Sequence, residues 1–351
     1  MAYTTINKSS DHFNTKLYTG NNSTNNITGV GFQPDWLWIK SRGSTENHVI
    51  YDALRGVTKQ LYPNTSGAEN TNATALTAFG TDGFNLATSN ANTNANGVNF
   101  VSWNWKAGGG AGSSNTSGTI NTTNTSVNST AGFSISTYTG NGTDGATVGH
   151  GLGVAPTLVI IKNRSTSSRD WIFHHPHLAT NQVLFLNSTA ATQVNSGGVA
   201  DQFNANTIRL NDGSGGAQGI NHSGDNYVMY AFVEKVGYSK FGKYNGNGSS
   251  AGPFIYCGFK PKFLLIRNQQ DSGEYWEMFD DKRIGFNPKN NRIYPNATDA
   301  EDTSDERLDL VSNGFKLRNS GSHINEDGDK IIFMAFGQTL VGSNNVPCTA
   351  R

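Results

Sequence analysis

Residues 31–40 read Gly31-Phe32-Gln33-Pro34-Asp35-Trp36-Leu37-Trp38-Ile39-Lys40, and the chain writes this pattern twice more. It returns as Gly153-Val154-Ala155-Pro156-Thr157-Leu158-Val159-Ile160-Ile161-Lys162 and as Gly258-Phe259-Lys260-Pro261-Lys262-Phe263-Leu264-Leu265-Ile266-Arg267. Each copy has a proline, one polar residue, four large apolar residues and a base. Proline fixes φ and lacks an N–H, so it suits the start of a strand. Four apolar residues in a row predict a strand buried on both faces. The terminal base is expected to return the chain to water.

The prolines lie 156 − 34 = 122 and 261 − 156 = 105 residues apart, and other landmarks keep their order around them. Tyr18-Thr19-Gly20-Asn21, Tyr138-Thr139-Gly140-Asn141 and Tyr244-Asn245-Gly246-Asn247 come before. Leu61-Tyr62-Pro63-Asn64, Leu184-Phe185-Leu186-Asn187 and Ile293-Tyr294-Pro295-Asn296 come after, followed by Asp82-Gly83-Phe84, Asn206-Thr207-Ile208 and Asn313-Gly314-Phe315. An aromatic strand closes each copy, at 100–105, 227–232 and 331–336. In the first, Val101, Trp103 and Trp105 alternate with Phe100, Ser102 and Asn104, the period-two pattern of a strand with one face on a core. Such spaced landmarks predict an internal triplication.

Glycine is 41 of 351 residues, and Asn, Ser and Thr run between aromatic strands. The expected class is all-β: three tandem β-sandwiches of a jelly-roll-like kind. The expected division is a lead-in at 1–16, sandwiches at 17–106, 131–236 and 237–340, a Gly/Ser/Asn/Thr linker at 107–130 and a tail at 341–351. The linker composition, Ala107-Gly108-Gly109-Gly110-Ala111-Gly112-Ser113-Ser114 at its start, predicts flexibility. Ser66-Gly67-Ala68-Glu69 and Thr298-Asp299-Ala300-Glu301 fit capping boxes and predict a helical turn after each Tyr-Pro-Asn motif. Asp82-Gly83 and Asn313-Gly314 predict type I′ hairpin turns.

Lys+Arg and Asp+Glu are 26 each, which argues against a nucleic-acid partner held by bulk charge. No stretch reaches the roughly 18 apolar residues of a membrane span, and residues 1–7 lack the pattern of a signal peptide. Cys257 and Cys348 read as two free thiols.

Catalytic signatures are sparse. There is no Gly-x-Ser-x-Gly elbow, and no Lys-Ser/Thr follows the glycines at 108–112. His174-His175-Pro176-His177 offers His174 and His177 as candidate zinc ligands, with the slot of His174 matched to Asp52 and Asp280. The acidic run Asp299, Glu301, Asp302, Asp305, Glu306 and Asp309 lacks calcium-loop spacing and reads as a solvated loop. Asp35 with Glu46, or Asp280 with Asp281, are the carboxylate pairs available for glycoside chemistry. Trp36, Trp38, Trp103 and Trp105 are the candidate sugar-stacking surface, set against core packing. The expectation is a non-enzymatic protein without a cofactor.

The chain also resembles a family of virion-associated proteins of tailed phages, chiefly of marine bacteria and cyanobacteria. The residues that carry the resemblance are Met1-Ala2-Tyr3-Thr4-Thr5-Ile6, the strand at 31–40, Trp103-Asn104-Trp105-Lys106-Ala107-Gly108-Gly109 and Val148-Gly149-His150-Gly151-Leu152-Gly153-Val154-Ala155-Pro156. Gly237-Tyr238-Ser239-Lys240-Phe241-Gly242, residues 310–317 and the ending Val346-Pro347-Cys348-Thr349-Ala350-Arg351 complete it. The resemblance implies a structural protein of the virion, assembled in the host bacterial cytoplasm, and brings no catalytic residues with it. The expected role is tail-associated or fibre-like, with host-surface attachment. The alternatives are a capsid decoration or head fibre, and a carbohydrate-binding lectin. Expected partners are other virion proteins, further copies of the chain as a trimer, and host-surface glycan, with no nucleic acid and no membrane insertion.

Overall fold

The computed structural model describes residues 4–88, 90–179, 181–194, 202–211 and 218–341. It is all-β, and one strand order appears three times. The first set is β1 (Phe13–Thr19), β2 (Asn25–Thr28), β3 (Trp36–Ser41), β4 (Val49–Asp52), β5 (Lys59–Gln60), β6 (Asn70–Thr71), β7 (Leu76–Gly80), β8 (Gly83–Leu86) and β9 (Asn99–Trp105). The second is β10 (Asn124–Asn128), β11 (Phe133–Thr139), β12 (Thr147–Gly149), β13 (Leu158–Asn163), β14 (Trp171–His174), β15 (Gln182–Phe185), β16 (Gln193–Val194), β17 (Gln202–Phe203), β18 (Thr207–Arg209) and β19 (Asn226–Phe232). The third is β20 (Ser239–Asn245), β21 (Phe254–Tyr256), β22 (Lys260–Asn268), β23 (Glu277–Asp280), β24 (Leu308–Val311), β25 (Gly314–Leu317) and β26 (Lys330–Gln338).

The larger sheets run β1-β9-β3-β4, β11-β19-β13-β14 and β20-β26-β22-β23, and the smaller ones β2-β8-β7, β12-β18-β17 and β21-β25-β24. With β10 set aside, the first strand of each set pairs with the last and the second with the one before it, as in a jelly roll. The fourth strand, however, stays bonded to the third instead of crossing to the other sheet. Each unit is therefore a four-plus-three sandwich. In the second, the larger sheet also gains β10 at one end and β15 and β16 at the other.

The proline strands are buried on both faces, for a reason that goes beyond one sandwich. Leu37 and Ile39 fill the core of sandwich 1, Val159 and Ile161 that of sandwich 2, and Leu264 and Ile266 that of sandwich 3. Their alternates Trp36, Trp38, Leu158, Ile160, Phe263 and Leu265 all enter one further core shared by the three larger sheets. The closing strands obey the same alternation: Val101, Trp103, Trp105, Val228, Tyr230, Phe232, Ile332, Met334 and Phe336 face this common core. Trp36 stacks on Tyr230 at 4.9 Å and Trp105 meets Phe263 edge-on at 5.2 Å. Period two divides each strand between a private core and a common one.

Several expectations need correction. Residues 107–130 are ordered by specific contacts: Asp35 accepts the N–H groups of Ala107 and Gly109 at 2.7 and 3.0 Å, and β10 pairs with β11. The lead-in already contains the start of β1, and Gln338 accepts the Ser9 N–H at 2.7 Å, closing the chain start onto the last strand. The glycines of Asp82-Gly83 and Asn313-Gly314 follow their turns and pair as the first strand residues. A Cβ there would sit 1.9 Å from the Ile27 carbonyl oxygen or 2.0 Å from that of Ile255, so close strand approach demands glycine. The two capping-box sequences start no helix, because Glu69 and Glu301 are used elsewhere. The tail beyond Val341, with Cys348, lies outside the described residues; Cys257 is a buried free thiol.

Candidate functional site

The bases ending the proline strands do not reach water. Lys40, Lys162 and Arg267 are fully buried, and each bonds carbonyls of its own following loop and of a neighbouring sandwich. The Lys40 ammonium donates to the Ser44, Glu46 and Thr298 carbonyls at 3.2, 2.8 and 3.0 Å, using all three of its donors. Lys162 donates to the Arg169 carbonyl and to that of Ser66 at 3.2 Å. Arg267 donates to the Glu274 carbonyl and to those of Thr189 and Ala190 at 2.9 and 2.7 Å. The reach is cyclic: sandwich 1 to 3, 2 to 1, and 3 to 2. Burial pulls the Lys40 pKa down to about 8, that of Lys162 to about 7 and that of Arg267 to about 10.

A second cycle runs beside it. Trp171 Nε1 donates to the Tyr62 carbonyl, Trp276 Nε1 to that of Phe185, and His48 Nε2 lies against that of Tyr294, each at 3.0 Å. His48 Nδ1 meanwhile accepts the Trp38 indole N–H at 2.9 Å, so its proton sits on Nε2 and the ring is neutral. The Asn of each Leu-Tyr-Pro-Asn landmark (Asn64, Asn187 and Asn296) accepts the main-chain N–H of His48, Trp171 or Trp276.

The third cycle is ionic in two places and apolar in one. Arg164 makes a bidentate pair with Glu69 at 2.8 and 3.0 Å, and Arg42 with Glu301 at 3.0 and 2.9 Å. Behind them Arg55 bridges Asp52 and Glu69, and Arg283 bridges Asp280 and Glu301. Across the interfaces Tyr230 donates to Asp52 at 2.6 Å and Trp103 Nε1 to Asp280 at 3.1 Å. Burial pushes the Asp280 carboxyl up, but the Arg283 guanidinium outweighs it and the net shift is downward.

Between sandwiches 3 and 2 the same places hold other residues. Strand register sets Asp52 and Asp280 opposite Trp36 and Phe263, and their counterpart is His175, one residue beyond the expected His174. Three residues on, where the others carry Arg55 and Arg283, stands Leu178, packed against the common core. His175 Nε2 lies 3.1 Å from the Phe333 carbonyl, and burial lowers its pKa to about 3.

This disposes of the expected sites. Trp36, Trp38, Trp103 and Trp105 are at most 1% exposed and form core, not a stacking surface. His174 packs its ring edge-on against Phe203, while His177 opens on a cleft by sandwich 3, so the two do not converge. No group of three metal-ligating side chains occurs among the described residues. Asp35 holds main-chain N–H groups and Asp280 an arginine, so neither stands free for acid–base work. In the acidic run Glu301, Asp302, Asp305 and Asp309 pair with Arg42, Arg292 and Arg318.

One surface feature with binding chemistry is that cleft, about 330 Å³, lined by His177, Lys240, Lys243, Phe254 and Tyr256 among others. Sequence reading missed it because its aromatics lie on a short strand without a motif.

The chain belongs to the DUF7483 family, described as a domain of unknown function, whose model matches residues 8–339. That span runs from before β1 to the end of β26, so the family's unit is the whole set of three sandwiches and not a single one. No curated protein and no solved structure matches the chain.

Proposed function

We propose that this protein is a non-enzymatic structural component of a tailed-phage virion, tail-associated or fibre-like, with a role in host-surface attachment. The observation that carries this reading is the use made of its buried ionisable groups. Lys40, Lys162, Arg267, Asp52, Asp280, Glu69 and Glu301 are all engaged in bonds that tie sandwich to sandwich. A chain built by triplication and locked in a ring suits a particle part that must stay rigid. The apolar faces expected to build a trimer are covered within one chain, so a threefold arrangement needs no second copy.

The same ring favours a second reading, a decoration on the head, where a single chain would match a local threefold. Gold-labelled antibody on intact virions separates the two. Gold on the tail supports attachment, gold over the head makes the protein a decoration, and unlabelled particles would sink the virion reading.

A further inference from the structure

Among the described residues, sandwich 2 has a seal that sandwich 3 lacks. β10 covers the β11 edge, with Asn124 opposite Thr137 and Val127 opposite Ser134. Just before it, Ile120 bridges Val148 of β12, and Thr119 and Thr147 exchange N–H···Oγ1 bonds of 2.9 and 2.8 Å. Residues 113–128 thus cover the β11 and β12 edges on that side of the sandwich and add Ile120 to its core.

In sandwich 3 the matching strands β20 and β21 are edges, and the cleft lies between them. Phe254 and Tyr256, 48% and 58% exposed, stand where sandwich 2 is covered. The Phe241 N–H points away from β26 to Glu234 Oε1 at 2.5 Å, filling with a side chain a place that β10 takes with main chain. Alternation in an antiparallel ladder turns the Lys243 main chain the same way. Lys240 and Ser134 both face an alanine of the closing strand, Ala335 and Ala231, while Lys243 and Thr137 face Ile332 and Val228. An added strand in the register of β10 would therefore set the counterparts of Val127 and Asn124 beside Lys240 and Lys243.

We propose that the β20–β21 edge of sandwich 3 accepts an extended, acidic segment of a partner protein as an added strand, as residues 113–128 seal sandwich 2. Main-chain bonds would supply the pairing, an apolar residue would cover Phe254 and Tyr256, and carboxylates would meet Lys240 and Lys243. Edge lysines repel a second copy of β20 while admitting an acidic strand, which gives direction to the choice of partner. The β1 edge of sandwich 1 is also open and basic, with Lys16 and Lys282, but no exposed aromatic lines its cleft. The proposal holds or fails apart from where on a particle the protein sits.

The test uses the full chain and two synthetic peptides: residues 113–128, and the same peptide with Asn124→Asp and Val127→Asp. Binding is followed by fluorescence anisotropy, and its place by hydrogen exchange. The acidic peptide is expected to bind several-fold more tightly and to slow exchange in β20. Lys243→Pro, which removes an outward N–H that β26 does not use, should abolish binding while β26 stays protected. Lys240→Gln with Lys243→Gln should make the two peptides equal. Absence of β20 protection, or full binding by the Lys243→Pro variant, would overturn the proposal. So would protection of the cleft by tetragalacturonate when neither peptide protects it, since the site would then be one for an acidic saccharide.

Discussion

The interfaces that sandwich 1 makes with its two neighbours differ in kind from the one between sandwiches 2 and 3. Sandwich 1 meets both through buried Asp–Arg–Glu chains, Asp52–Arg55–Glu69 with Arg164 and Asp280–Arg283–Glu301 with Arg42. At the third interface His175 and Leu178 stand in their places, and only main chain joins Thr192 to Gln269. All three keep the same backbone arrangement. Buried ion networks are therefore one of two solutions here, and the common aromatic core and the carbonyl-bound bases are the shared one. Desolvation explains why either works: a buried charge must be fully bonded, whereas an apolar replacement has nothing to satisfy.

The strongest way to break the comparison is Asp52→Ala. It strands Arg55 and the Tyr230 hydroxyl, and should cost about 3–5 kcal/mol in urea unfolding. His175→Ala removes one hydrogen bond and should cost about 1–3 kcal/mol; a reversed order would show that the ions do not distinguish the interfaces. The double variant Asp52→His, Arg55→Leu transplants the apolar solution, and should lose less than Asp52→Ala alone because no charge is stranded.

Acid probes the neutral rings next. Burial lowers His175 to about 3 and His48 well below its ordinary value. The unfolded chain takes up these protons near pH 6.5 while the folded one resists, so stability should fall as pH drops below about 6.5. His48→Gln, which keeps an acceptor for Trp38, should flatten part of that slope. Lys162 acts with the same sign in a higher window: between its folded pKa of about 7 and the unfolded value the unfolded state holds more protons, so its share of stability rises with pH there too. Lys162→Met should remove that rise in pH-dependent thermal unfolding. The smallest effect is expected from Thr192→Glu with Gln269→Arg, which would build a third ion pair between a half-buried and a buried position, where desolvation offsets most of the attraction, and change the unfolding free energy by only about 0.5 kcal/mol.

The three proline strands and the period-two closing strands were legible in the sequence, and so were the sandwich class and the order of the landmarks. These depend on local spacing. The terminal bases were misread because a base after an apolar run ordinarily solvates, and only the neighbouring loop supplies the carbonyls that hold Lys40, Lys162 and Arg267. Glu69 and Glu301 carried a capping signal that their arginines overrode. The tryptophans left a stacking surface open beside core packing because the sequence does not show that each larger sheet has a second face to bury.

The sequence by itself determined the strands, their two faces and the recurrence of the pattern, because side-chain direction alternates by a fixed geometry. Tertiary structure alone decided that the second faces meet in one core, that buried bases and acids lock the ring in a cycle, and that one sandwich seals its own edge while another leaves it open. The bonds that close the ring join residues more than seventy positions apart, such as Arg267 with Ala190, Lys40 with Thr298 and Tyr230 with Asp52. No local pattern encodes which carbonyl or carboxylate will stand there.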